Sequence, residues 1–351
     1  SFGVFLVIFS MSNTISLFKN YVPILDEVYQ QSSRTAILDG NPDLVQAGAN
    51  ANELIVPMLD MQGLGDYSRS SGYVDGDVTL THQTIPVDYD RGRMFSVDNM
   101  DNAETAGIAF GRLSGEFIRT RVVPELDAYR LARYAGTDGI GKVAAGATLS
   151  TGAEVIAALR AGTNAMDEDE VPMEDRHLFI TPTLLGLIQD SDSTKSREVL
   201  ARFASIAQVP QTRFYTAITL KTGASGQTDG GYIKWPKHYQ QAEATTPGAL
   251  KVVANTATPS TGEIKASAVT PVVDPDYTPT ADDYVIAVEA KDINFMIIHK
   301  AAVIQFPKHI APKVITPELN QDADAWKFGY RIVGVNGVYE NKLAGIYLHH
   351  K

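Results

Sequence analysis

The sequence predicts an α+β protein built around an extended arm and one long helix, and three stretches carry that expectation. Tyr73–Tyr89 (YVDGDVTLTHQTIPVDY) alternates apolar and polar residues, the period of two that marks a strand. Asp101–Tyr134 repeats apolar residues at helical spacing over an unusual length, as an amphipathic helix does. Strand and helix signals then alternate through the rest of the chain, which implies an α/β or α+β domain.

In the arm, Val78 and Leu80 share one parity, and Ile85, Val87 and Tyr89 share the other. The slip near Gln83–Thr84 suggests a bulge or a bend. A two-stranded ribbon is marginal in water by itself, so it needs support from outside its own stretch. Tyr73, Val78, Leu80, Ile85, Val87 and Tyr89, with Arg91 and Arg93 beside them, are therefore candidate contacts to another subunit. The aspartates of the arm (Asp66, Asp75, Asp77, Asp88, Asp90) read as register-setting charges. Acid–base catalysis by such carboxylates would need a cleft, which an arm lacks. Asp101-Asn102-Ala103-Glu104 has the form of a capping box. Ala106, Phe110, Leu113 and Phe117 follow at helical spacing, and Ile118, Val122, Leu126 and Tyr129 continue a rotated stripe. Phe110, Leu113, Phe117, Val122, Leu126 and Tyr129 are the candidate core of this helix, and Pro124 is expected to kink it.

Upstream, Leu17, Tyr21, Ile24, Leu25 and Val28 suggest a short helix, and Ser32–Pro57 reads as an arm with one apolar run, Leu54-Ile55-Val56. Met11 reads as the natural initiator. The apolar residues before it are then extra upstream sequence, or a tail that docks on a neighbour. Downstream, a helix is expected to start near Thr151, a buried strand at His177–Thr181, a short helix at Pro182–Ile188 and another helix at Ser196–Ala207. Residues 221–283 turn to Thr, Gly, Ser and Pro, with Lys251–Ala254 and Glu263–Ala266 as a hairpin carrying long loops. Strands return at Tyr284–Val288 and Ile293–Phe306. Trp326, Phe328, Tyr330 and Ile332 alternate, Asn336-Gly337 is a hairpin-turn dipeptide, and Ile346–Leu348 supplies a last strand.

Composition excludes several classes. The 351 residues carry 44% hydrophobic and 20% charged side chains, the balance of a folded globular chain. The absence of cysteine rules out disulfides, thiolate metal sites and cysteine nucleophiles. A net charge of −11 argues against gripping phosphate backbones, though not against enclosing DNA without binding it tightly. No stretch reaches the length of a membrane span. Gly136–Lys142 matches a phosphate loop until Val143 stands where a hydroxyl should hold the metal, and it follows a helix instead of a strand. The seven histidines show no metal-ligand spacing, and the final pair, His349-His350, reads as a tail. Asp167–Glu170 lacks the spacing of a calcium loop. No catalytic residue, cofactor site or metal site is assigned.

Several local patterns, taken in order, resemble the major capsid proteins of tailed bacteriophages, which share the Hong Kong 97-type fold. They are NTISLFKNYVPILDEVYQQSS, Val87–Arg93 running into Phe95–Asp98, Arg121–Tyr129, Ile293–Ile304, and Asp322–Arg331. The resemblance covers most of Met11–His350. It implies an N-terminal arm over residues 1–62, an extended loop over 63–98, and a peripheral domain with its spine helix over 99–180. An axial domain over 181–286 and a return to peripheral strands over 287–351 complete the arrangement. It implies a virion capsid assembled in the bacterial cytoplasm from hexamers and pentamers of this chain. Double-stranded DNA would be enclosed non-specifically, with a separate scaffolding protein, a portal, a decoration protein in some members, and no membrane. Some members weld the shell through a lysine of the extended loop; residues 63–98 contain none, so a non-covalent shell is expected. The competing readings are the shell of an encapsulin-type nanocompartment, and a hydrolase or ligand-binding domain.

Overall fold

The fold is known from a computed structural model that describes residues 32–40, 46–47, 53–67, 69–70, 72–73, 75–104, 108–142, 146–191, 194–223, 230–236, 238–269 and 280–351. The expected helix at Leu17–Val28, Met11 and its upstream residues, Ala106 and the side chain of Phe110 lie outside them.

The helix from Ile108 to Ala135 is continuous. It comprises an α segment (Ile108–Phe117), a π turn (Ile118–Val122) and a second α segment (Val123–Ala135). Pro124 explains the π turn: a proline inside a helix removes one backbone bond, and its ring crowds the carbonyl four residues earlier. Widening the turn ahead of the ring relieves that crowding without ending the helix. The expected capping box at Asp101 is displaced. A short helix, Asn99–Glu104, starts straight from a strand, and the Asp98 carboxylate accepts from the Met100 amide at 2.8 Å.

The spine helix lies on a three-stranded antiparallel sheet of Val303–Ile315, Ala325–Val338 and Tyr89–Asp98. Ile118, Val122, Val123 and Leu126 from the helix pack there on Tyr89, Phe328, Tyr330 and Ile332. Lys308 is an extra residue between the pairs Pro307–Gly334 and His309–Val333, a bulge in the hairpin.

A second, five-stranded sheet has the order Gly141–Lys142, Ile346–His350, Ile293–His299, Arg176–Ile180, Ser205–Gln208. Its central strands are buried along almost their whole length because both faces are covered. Phe295 and Ile297 point toward the helices Gly152–Glu168, Pro182–Ser191 and Thr194–Leu200. Met296 and Ile298 point toward Leu131 and Tyr134 of the spine. The helix at Gly152 begins with a complete capping box between Thr151 and Glu154.

Several expectations are corrected. The run Ser196–Ala207 divides into the end of one helix and the strand Ser205–Gln208. Leu250–Val253 and Glu263–Lys265 pair, but in parallel and not as a hairpin. They share a four-stranded sheet with Tyr284–Val288 and His238–Ala242. Asn336-Gly337 is no turn and lies within the strand Ala325–Val338. Ile346–His350 joins the five-stranded sheet instead of the sheet under the spine. His349 is buried in it and stacks on Phe295 at 5.1 Å.

Candidate assembly surface

The arm is a ribbon, with a different partner strand from the one its sequence suggests. Val78–Pro86 pairs antiparallel with Glu53–Met61 in an unbroken register from Glu53↔Pro86 to Met61↔Val78. Tyr89–Asp98 pairs instead in the sheet under the spine helix, so the ribbon is formed by residues 53–61 and 78–86. The parity slip at Gln83–Thr84 is therefore no bulge.

The slip marks a change in which face of the ribbon is covered. Near the base, the face carrying Leu54, Val56 and Ile85 packs on Ile304, Phe306 and Val335. Gly337 makes room for it, since a Cβ there would meet the Ile85 side chain at 3.1 Å. Toward the tip, the apolar residues lie on the opposite face, as the cross-strand pairs Leu59–Leu80 and Met61–Val78. These four are 55–65% exposed. At the tip itself Tyr67 and Tyr73 stack edge to face at 4.9 Å, Leu64 is fully exposed, and the Gln62 side chain accepts from the Asp77 amide. Residues directly opposite in a ladder form the unit of sheet stabilisation, and here two such apolar pairs are left more than half exposed. Burying each of these side chains is worth about 1.5–3 kcal/mol. Exposed strips of this kind mark interaction sites.

The predicted contact residues thus divide. Tyr73, Val78 and Leu80 are exposed on the ribbon. Ile85 and Tyr89 are buried within their own chain, and Val87 is partly buried beside Ile85; none of these three is a free contact. Arg91 is held by Glu125 of the spine at 2.7 Å, and Glu125 also accepts from the Tyr89 hydroxyl at 3.3 Å. Burial first, and then the Glu125 charge, hold the Tyr89 hydroxyl well above its usual range. Arg93 lies on the exposed side of the same strand, against Gly223 and Gly230. Of the predicted helix core, Val122 and Leu126 are buried, while Leu113, Phe117 and Tyr129 pack at its edge.

Sequence reasoning missed Leu59 and Met61. Pro57 interrupts the alternation of their strand, and among the described residues the strand Gln46–Ala47 flanks only Leu54 and Ile55 of it. It also missed a buried polar cluster that ties residues 33–40 to the spine. Asp127, wholly buried, accepts from the hydroxyls of Ser33 and Thr35 at 2.7 Å each and from the Arg34 amide at 2.9 Å. Arg130, also wholly buried, donates to Asn336 at 3.0 Å and Thr35 at 3.1 Å and pairs with Asp39 at 3.3 Å. Burial raises the Asp39 carboxyl above its usual range, against the pull of Arg130. Gln305 links the same segment to the hairpin, donating to Asp39 at 2.6 Å and accepting from Tyr134 at 2.7 Å.

No group of three or more metal-ligating side chains occurs among the described residues, and no helix among them is long and apolar enough to cross a membrane.

No family model matches the chain, and no curated protein matches it in sequence. Among solved structures it is similar to the capsid structure of the cyanophage P-SCSP1u, with 12% identity over 87% of this chain and 85% of that one, at a TM-score of 0.48. It is similar to the virus-like particle from Pyrococcus furiosus, with 10% identity over 95% and 99% and a TM-score of 0.46. The mature capsid of bacteriophage PhiM1 gives 12% identity over 87% and 83%, at a TM-score of 0.44.

Proposed function

We propose that this chain is a shell subunit, the major capsid protein of a tailed double-stranded DNA bacteriophage or prophage with the Hong Kong 97-type fold. The observation that carries the reading is the ribbon: its base is anchored in its own chain, and its distal half offers apolar pairs to solvent. A surface built in this way is completed by another copy. The ribbon and whatever receives it are different surfaces, so the contact is heterologous, and repeated under rotation it closes into rings.

In this reading the spine helix and the sheet beneath it are the peripheral domain. The five-stranded sheet with its helices is the axial domain, and residues 53–86 are the extended loop. Those residues contain no lysine, which supports a shell held without covalent cross-links. A scaffolding protein and a portal would be separate partners, and the acidic net charge of −11 suits enclosing DNA without gripping it.

Electron microscopy of the expressed protein, with and without its genomic neighbours, tests the reading. Closed shells, or rings of six and five, are the expected outcome. A monomer under every condition would overturn it.

A further inference from the structure

The chain holds five dipeptides in which aspartate or asparagine precedes glycine: Asp39-Gly40, Asp75-Gly76, Asp138-Gly139, Asp229-Gly230 and Asn336-Gly337. Glycine has no Cβ to block the approach, so its amide nitrogen can reach the side-chain carbonyl carbon of the residue before it. Whether it does so depends on how each backbone is held.

Gly40 donates its amide to the Gln305 carbonyl at 2.9 Å, and the Asp39 carboxylate accepts from Gln305 at 2.6 Å. Asn336 is buried and accepts from Arg130, and Gly337 lies in a strand opposite Ile304. Asp138-Gly139 is exposed but sits in a turn, with Gly139 at a φ of +85° and close against Leu343. Asp229 lies outside the described residues. Asp75-Gly76 has none of these restraints. Both residues are exposed and belong to no helix or strand, and a Cβ on Gly76 would meet nothing within 4 Å. Neither has a hydrogen bond among the described residues. The bonds that close this end of the ribbon start one residue later. There the Asp77 amide donates to the Gln62 side chain at 3.2 Å, and the Gln62 amide to the Asp77 carbonyl at 3.3 Å.

We propose that Asp75 is a site of spontaneous isomerisation. The Gly76 nitrogen bonds to the side-chain carboxyl carbon of Asp75, and the carboxyl hydroxyl leaves as water with the amide proton. Water then opens the resulting succinimide. Opening at the side-chain carbonyl restores aspartate. Opening at the main-chain carbonyl leaves isoaspartate, whose backbone runs through the side chain and is one atom longer. Water is lost once and regained once, so the mass is unchanged. The longer backbone falls just before the Asp77–Gln62 closure, in the exposed end of the ribbon.

A protein L-isoaspartyl methyltransferase with a labelled methyl donor tests this, because it esterifies the carboxyl that isomerisation frees. The full chain, collected as dispersed subunits by sedimentation, is aged warm at neutral pH, labelled and cut into peptides. Label is expected at Asp75. Gly76→Ala should carry little there, since its methyl group crowds the attacking nitrogen, while its circular dichroism and thermal midpoint should match the parent because the methyl meets nothing in the fold. No label at Asp75 in the parent, equal label in Gly76→Ala, or label at Asp138 in its place would overturn the assignment. The chemistry does not depend on shell formation, so none of these outcomes bears on the shell reading.

Discussion

Arg130 and Asp127 sit one helical turn apart on the spine and are both wholly buried. A buried charge is tolerated only when its partners are in place, and removing one partner leaves the other uncompensated. Arg130→Met should therefore cost about 3–5 kcal/mol in urea unfolding, and an unchanged unfolding midpoint would contradict the cluster's role. In the sequence these two charges look like ordinary interruptions of an apolar stripe. Their partners, Ser33 and Asn336, lie 94 and 206 positions away, and no local pattern reports such a contact. The histidines give a pH effect. Burial first, then the neighbouring His350, holds His349 below its ordinary value of 6.5. His177 and His299 are lowered as well, chiefly by burial. Between the lowered folded value and 6.5 the unfolded chain binds more protons, so stability is complete above 6.5 and falls as pH drops through that window. The thermal midpoint should decrease from about pH 7.5 to about pH 5.5, and His349→Gln should make that slope shallower. A slope unchanged in the variant would show that His349 does not contribute.

At the scale of elements, the ribbon separates two kinds of apolar residue that look alike in sequence. Ile85→Ala should lower the stability of the subunit by about 2–5 kcal/mol, because Ile85 fills the contact with Phe306 and Val335. Leu80→Asp should leave unfolding within about 0.5 kcal/mol of the parent, because its side chain meets solvent. Equal effects of the two changes would mean that the ribbon packs along its whole length. The alternation at Val78–Tyr89 was legible as strand, and so was the long helix, because both periods extend over many residues. The ribbon's partner strand was not legible, since Pro57 breaks the pattern of ELIVPMLDM. Asn336-Gly337 misled for a physical reason. Asn336 is there to accept from Arg130, and Gly337 to admit Ile85, two demands unrelated to a turn. The helix start at Thr151 was legible, because the residues that cap it are local.

At the scale of the molecule, two well-covered units carry a ribbon that is finished at one end only. The sheet under the spine and the five-stranded sheet each bury their apolar faces within the chain. The distal ribbon does not, and that contrast is the central claim: the fold is complete as a subunit and incomplete as a surface. The most direct test is to compare the parent chain with Leu59→Asp/Leu80→Asp by circular dichroism, thermal unfolding and electron microscopy. The account predicts the same spectrum and midpoint in both, with rings or shells from the parent and dispersed subunits from the variant. Intact rings or shells from the variant would contradict it.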